Sequence, residues 1–453
     1  MSPRPVDPAR RVAYDVVLAV ELDDAYANLV LPRLLRERGL VERDAAFATE
    51  LCYGTLRWQG VLDQVVAAGS TRPVAALDPS VRALLRVGSY QLLRMRVPTH
   101  AAVHATVELT RATAGEKVVR FVNAVLRRVG ERDWDGWVDR LAPTDDIGRA
   151  AFAAGYPGWV AVAFLDALDG DADELRRAMA EDRPVTHLVA RPGLVDRDAL
   201  LGEAGDGATP GPWSPYAVRL SGGDPAALPS VRSGAAAAQD EGSQLMALAL
   251  ARAPVDGPDL AWLDLCAGPG GKAGLLAGLR PEQATLVAAD VQPHRAALVR
   301  RAVGDRAAVL VADGTRPAWA AGRFDRVIVD APCTGLGALR RRPEVRWRRT
   351  AGDVGRLVVL QRRLLESALG SVRPGGVVAY VTCSPHRDET TGVVDHVLAS
   401  RPEVERLDAR TVLPGVPSLG AGPDVQLWSH RHGTDGMYLA LLRSGYRRAD
   451  PDL

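Results

Sequence analysis

The chain has 453 residues, of which 47% are hydrophobic and 25% charged, with a formal net charge of +1. This composition excludes a wholly disordered or fibrous protein, and the length exceeds one ordinary core, so two to four domains of roughly 100–200 residues are expected. The near-zero charge hides a pattern: residues 1–130 carry 18 basic and 13 acidic side chains, residues 131–260 carry 11 and 22, and the remainder is again basic, which favours a polyanionic partner over a small neutral one.

Residues 1–135 read as an all-α bundle. Val12, Val16 and Val20 recur at helical spacing. Amphipathic runs follow at 25–36, 44–58, 81–95, 104–112 and 117–129, separated by turn signals such as Arg38-Gly39 and Val97-Pro98. Residues 136–235 predict a helical linker, with helices near 159–168 and 172–180, feeding a small α+β module that contains a strand at 186–190. Residues 236–445 change character. Short apolar strands are expected at 262–265, 285–289, 308–311, 326–329 and 376–381, alternating with helices. That alternation predicts a parallel, doubly wound sheet, the Rossmann-like α/β class. Such sheets bind ligands beyond the carboxyl ends of their strands, and Asp290, Asp313, Asp330 and Thr382-Cys383 fall at those ends.

No stretch approaches the ~18 consecutive apolar residues of a membrane span. The first eleven residues lack the apolar core of a signal peptide, so a cytoplasmic protein is expected. The four cysteines, Cys52, Cys266, Cys333 and Cys383, include no CxxC pair and no Cys/His cluster of zinc spacing. Free thiols and no metal are expected.

Cys266-Ala267-Gly268-Pro269-Gly270-Gly271-Lys272 joins the first strand of this region to a helix. Glycines let a backbone approach a ligand where a side chain would collide, and a helix N-terminus favours a negative group. Asp290, at the end of the next strand, suits ribose hydroxyls. These features fit NAD, FAD or S-adenosylmethionine. The spacing is not GxGxxG, which disfavours the dinucleotides.

Two more cysteines end strands: Cys333 in Asp330-Ala331-Pro332-Cys333, and Cys383 in Thr382-Cys383-Ser384-Pro385. A lone cysteine in a sheet is usually a small buried hydrophobe, but adjacent strand ends can bring both thiols into one cleft. A methyl donor beside a thiolate suits methylation of pyrimidine carbon 5. Thiolate addition at carbon 6 makes carbon 5 nucleophilic, and a base must then remove the carbon 5 proton so that the thiolate can leave. That chemistry wants a nucleophilic cysteine, an acid near the ring nitrogen and a group that aids release. Cys383, Asp330 and Cys333 are the available side chains.

On these motifs, residues 236–443 resemble the RNA cytosine-5 methyltransferase family of the Sun/Nop2 type. Gln239-Asp240-Glu241-Gly242-Ser243-Gln244, the stretch from Arg340 to Trp347, and Asp435-Gly436-Met437-Tyr438 add to the likeness. Residues 7–130 are similar to the NusB RNA-binding domain, a fusion typical of bacterial ribosomal RNA methyltransferases. The resemblance implies an S-adenosylmethionine-dependent enzyme that methylates carbon 5 of one cytidine in 16S ribosomal RNA through a covalent cysteine adduct. It implies Cys383 as nucleophile and Cys333 as the aid to release. It further implies Asp290 at the ribose, Asp313 at the adenine, and Asp330 at the methionine end and target base. After Cys383 the sequence Pro385-His386-Arg387-Asp388-Glu389-Thr390 departs from the family's usual Pro-Glu-Glu-Asn. Cys266 lies inside the cofactor loop and Cys52 on a helix; both read as structural thiols.

Arg340, Arg341, Arg342 and Arg346, with Trp347 among them, follow Cys333 and are expected to hold phosphates and stack a base. Arg10, Arg11, Arg82, Arg86, Arg120, Arg127 and Arg128 are further phosphate candidates. A monomer is expected. The competing readings are a transfer RNA cytosine-5 methyltransferase, a catalytically inactive RNA-binding or antitermination factor, and a dinucleotide oxidoreductase.

Overall fold

Residues 6–180 and 184–445 are described here in a computed structural model. The chain divides into two units: one runs up to Ala180 and also takes in Leu339–Thr350, and the other takes the rest.

The first unit is helical. Helix Pro8–Leu22 begins where the Asp7 carboxylate accepts from the Arg10 amide, and it buries Val12, Val16 and Val20 as the spacing predicts. Helices Ala27–Glu37, Glu42–Gly69, Pro79–Arg94, Thr99–Thr113 and Glu116–Val129 follow. The last of these buries Val119, Val122, Val125, Leu126 and Val129, and leaves Lys117, Arg120 and Arg127 exposed. Arg82 and Arg86 face inward instead. Both pair with Glu21, and Arg86 also reaches Asp63 at 2.7 Å. They brace helices and do not wait for phosphate. Four shorter helices between Trp134 and Ala180 belong to the same unit.

Leu339–Thr350 is the chain's excursion into this unit, and it corrects the expectation of a phosphate-binding run. Arg346 is fully buried. Its guanidinium lies 3.5 Å from the centre of the Tyr156 ring and donates to the Gly155 carbonyl at 2.9 Å. Trp347 donates to the Arg57 carbonyl at 2.8 Å and packs beside Val61, Val138 and Phe152. Arg348 donates to the carbonyls of Val20 and Ala25. Arg340 is buried as well, Arg341 is half-buried, and Arg342 is exposed. These side chains fill space and satisfy carbonyls because planar guanidinium and indole groups combine a flat apolar face with N–H donors at the edge.

The second unit holds two sheets. The small antiparallel sheet contains β1 (Thr186–Ala190), β2 (Thr209–Pro210), β3 (Ala217–Leu220) and β4 (Ala236–Ala238), in the order β2-β3-β1-β4. The large sheet contains β5 (Ala261–Asp264), β6 (Thr285–Asp290), β7 (Ala308–Val311), β8 (Phe324–Asp330), β9 (Val372–Thr382), β10 (Val404–Leu407), β11 (Val425–Gln426) and β12 (Tyr438–Ser444). Its order is β10-β12-β9-β8-β5-β6-β7, with β11 paired to β12. From β7 to β9 the pairing is parallel, and β12 joins β9 antiparallel. The central strands are buried on both faces, which is why they read as continuous apolar runs such as Val327-Ile328-Val329. The strand order reverses between β5 and β8, and the strand ends there define the crevice of this fold class. No single helix among the described residues is long and apolar enough to cross a membrane.

If Arg346 is an internal brace, Arg346→Ala strands the Gly155 carbonyl and empties the space over Tyr156. It should cost about 2–4 kcal/mol of stability, read by chemical denaturation, while exposed arginines elsewhere tolerate the same change.

Candidate active site

β5 ends at Asp264, and the chain turns through Leu265–Gly270 into helix Gly271–Leu279. The turn is held from the neighbouring strand. The Ala267 amide donates to the Ala289 carbonyl at 2.8 Å, and the Gly268 amide donates to the Asp290 carboxylate at 3.0 Å. A Cβ on Gly268 would collide with that carboxylate, and Gly270 has φ +111°, so both positions require glycine. Asp290 is almost fully buried, and its second oxygen accepts from the Gln292 amide. Arg295 donates to the Gly268 carbonyl. Cys266 is half-buried within this turn, and burial first, then the charges of Asp264 and Asp330, push its thiol well above the ordinary range.

Asp264, Lys272 and Asp330 form a charged cluster below the loop. The buried Lys272 ammonium bonds the Asp330 carboxylate at 2.8 Å. Burial works against the lysine's charge, but Asp330, then Cys383 and Asp264, outweigh it and raise its pKa. Asp264 is fully buried, and among the described residues the Cys266 amide is the one hydrogen-bond donor that acts on its carboxylate, too weakly to satisfy either oxygen. Burial first, then repulsion from Asp330, push its carboxyl up to about 7, against the pull of Lys272.

The two cysteines meet. Cys333 follows β8, Cys383 follows β9, and their sulfurs lie 3.4 Å apart. The hydrogen bond to Cys383, then burial, then the charges of Cys383, Glu389 and Asp330 hold Cys333 in its protonated form. The Gly337 amide donates to the Cys383 carbonyl at 2.9 Å, and the Gly436 amide to the Gly337 carbonyl at 2.8 Å, so the loop after Cys333 and the turn before β12 lock the second cysteine's backbone.

Asp313 stands apart from this group. It is exposed, and its carboxylate accepts from the amide and hydroxyl of Thr315 at 2.9 and 2.8 Å, which lower its pKa. Glu389 is a residue that the sequence alone does not single out. It is fully buried and accepts from Thr334, Ser384 and Gln361. An acidic residue six positions beyond Cys383, two before an apolar helix, is the one signal that points to it.

Residues 249–443 match the family described as 16S rRNA methyltransferase RsmB/F, and residues 7–131 match the NusB family. A Mycobacterium tuberculosis protein, named provisionally as a methyltransferase with no substrate given, is 53% identical over 97% of this chain and 97% of its own length. The ribosomal RNA small subunit methyltransferase B of Salmonella enteritidis is 33% identical over 91% of this chain and 95% of its own. The chain belongs to the RsmB/F methyltransferase family. The crystal structure of PH0851 shares its fold, with a TM-score of 0.83 over 97% of this chain and 99% of that one, at 21% identity. The protein is thus an S-adenosylmethionine-dependent RNA methyltransferase with an RNA-binding NusB region. The dinucleotide oxidoreductase and inactive-factor readings fall away. The RsmB/F site has the features that such a cofactor requires: a glycine turn open to close approach, a buried acidic residue ending β6, and a buried, poorly satisfied carboxylate, Asp264, beside the turn.

Because Asp264 has a raised pKa when folded, the native state holds a proton there that the unfolded chain gives up at its ordinary value of 3.8. Its contribution to stability is complete below that value and is lost as pH rises to about 7. Asp264→Asn should remove this dependence. Denaturant titrations should show the variant gaining on the parent across that window, by up to about 1.4 kcal/mol per pH unit, and a constant difference at higher pH.

Proposed function

We propose that the enzyme methylates carbon 5 of a cytidine in small-subunit ribosomal RNA through a covalent adduct with Cys383. The observation that carries this reading is the thiol pair of Cys333 and Cys383, 3.4 Å apart beside the Lys272–Asp330 ion pair. Carbons 5 and 6 are neighbours in one ring, so a nucleophile for one and a proton acceptor for the other must themselves be neighbours.

In this reading Cys383 adds to carbon 6. Lys272, held charged by its acidic neighbours, places a positive charge within reach of Cys383. Asp330 and Lys272 together present an acceptor and a donor to the polar edge of the base. S-adenosylmethionine, when bound, supplies the electrophilic methyl group to carbon 5. The Gly268–Gly271 turn, Asp290 and Asp313 hold that cofactor, with Asp290 the expected ribose partner. Cys333 then changes character. Once the Cys383 sulfur is bonded to carbon, it no longer hydrogen-bonds or repels as a thiolate; both influences from Cys383 are gone, burial, Glu389 and Asp330 remain, and the Cys333 proton is held less tightly than before. Cys333 can then release its proton to solvent and take the one on carbon 5, which lets the Cys383 sulfur leave.

Ribosomal RNA is favoured over transfer RNA by the name of the Salmonella relative and by the NusB region. Arg120 and Arg127 on helix Glu116–Val129, and Arg342 after Cys333, are exposed and are candidate phosphate contacts. The target base must be unstacked to be reached from both sides, so a loop or otherwise single-stranded site is expected.

Bisulfite sequencing of ribosomal RNA from cells with and without the gene tests the product; an unchanged cytosine pattern overturns the reading. Cys383→Ala should abolish turnover and form no adduct. Cys333→Ala should accumulate a denaturation-resistant protein–RNA complex that disappears in the double variant. A complex trapped by Cys383→Ala alone would reverse the two roles.

Arg120→Glu with Arg127→Glu should weaken RNA binding and flatten its salt dependence by about 0.7–0.9 log units per log unit of salt for each phosphate that is no longer neutralised. Cofactor affinity should stay unchanged. Filter binding over a salt series measures the slope, and an unaltered slope removes these two arginines from the interface.

A further inference from the structure

Glu389 lies in the short turn Arg387–Glu389 ahead of helix Thr391–Leu398. A carboxylate there would ordinarily cap the helix that follows. This one does not: the helix has no side-chain cap, and the Glu389 carboxylate turns inward with no exposed surface. One oxygen accepts from the Thr334 amide at 2.8 Å and from the Gln361 amide group at 3.1 Å. The other accepts from the hydroxyls of Ser384, at 2.7 Å, and Thr334. Its backbone carbonyl accepts from the Tyr380 hydroxyl at 2.8 Å. Gln361 also donates to the Pro332 carbonyl at 2.9 Å.

The choice of partners is informative. Thr334 directly follows Cys333, and Ser384 directly follows Cys383. The remaining partner, Gln361, is tied to Pro332, directly before Cys333. Burying a carboxylate is costly unless several donors compensate it. Here the donors are drawn from the two loops that end in thiols, and not from the carboxylate's own helix. We infer that Glu389 is a positioning residue that sets the spacing and direction of the Cys333 and Cys383 thiols by clamping the residue after each. The inference rests on the two-cysteine reading above. Its point is that one rigid clamp serves two successive steps, so cutting either arm should disturb a different step.

Thr334→Val keeps the shape of the side chain and the amide donor but removes the hydroxyl arm beside Cys333. Ser384→Ala removes the arm beside Cys383. In Thr334→Val the covalent protein–RNA complex should accumulate about fivefold over the parent, because release is slowed. In Ser384→Ala its formation should slow about fivefold, with no accumulation; both figures are the scale of losing one buried hydrogen bond. S-adenosylmethionine affinity, measured by calorimetry, should stay within about twofold in both. Glu389→Gln, which keeps the volume but exchanges an acceptor for a donor, should slow formation and release together. Thermal melts run alongside. If both single-arm variants lose turnover in step with their melting temperature while the adduct fraction stays at the parent value, Glu389 is only a structural residue and the inference falls. Cys333→Ala in the same gels separates the two levels. If it traps the complex while the arm variants match the parent, only the Glu389 role is overturned. If it traps none, the two-cysteine reading fails and takes the inference with it.

Discussion

Parallel pairing of β5, β8 and β9 brings their carboxyl ends together, and everything else about the site follows from that. Asp264, Asp330 and the Thr382-Cys383 step lie on neighbouring strands because Asp264 pairs in register with Ile328, and Asp330 with Val381. Three polar ends in one crevice create an electrostatic problem. The Asp264 and Asp330 carboxylates repel each other, and burial further disfavours the charge on Asp264. Lys272, the first polar side chain of the helix that follows the glycine turn, resolves it by sitting against Asp330. The chain has only two lysines and fills its other basic positions with arginine. A lysine at this position makes physical sense, since a compact ammonium fits a narrow buried gap where a planar guanidinium would need a wider fork.

The charged cluster and the thiol pair are linked. Lys272 feels both Asp330 and Cys383, and Cys333 feels Cys383, Glu389 and Asp330. A change of charge on one member therefore shifts the proton affinity of the next, in the manner of coupled titrations. In such a site a bond formed at one sulfur is sensed as a lost negative charge at the other. The loops contribute stiffness. Gly337 and Gly436 approach so closely that a Cβ on Gly337 would collide with the Gly436 carbonyl, and their backbone bonds fix the carbonyl of Cys383.

Much of this is legible in the sequence because a parallel sheet turns chain order into spatial order. Apolar runs that end in Asp290, Asp330 and Thr382-Cys383 mark strand ends, and the glycine turn marks the first crossover. Six of the described strands escape notice: β2, β4 and β11 have two or three residues, too few for alternation to register, and β3, β10 and the seven-residue β12 pair antiparallel, outside the strand–helix alternation that the sequence displays. Arg346 and Trp347 mislead for a different reason. A basic run beside a cysteine has the composition of a phosphate site, and what buries it, Tyr156 and Gly155, lies nearly two hundred positions earlier in the chain. Glu389 is hidden in the same way, since its three side-chain partners come from three separate segments and no local pattern announces them. Asp313 is found at its strand end as well, where one carboxylate oxygen, Oδ1, accepts from Thr315 of its own turn.

The excursion of Leu339–Thr350 also bears on how the protein is made. A ribosome delivers the helices up to Ala180 long before it delivers Arg346 and Trp347, so the first unit emerges with the berth beside Tyr156, Val61 and Phe152 unfilled. N-terminal domains commonly fold while synthesis continues, and exposed apolar surface at that stage invites aggregation. Here the nascent helical unit stays incomplete until the chain has passed Cys333 and the first half of the large sheet. The two halves of the enzyme are therefore joined in time as well as in sequence, since no single peptide bond separates the residues of one unit from those of the other.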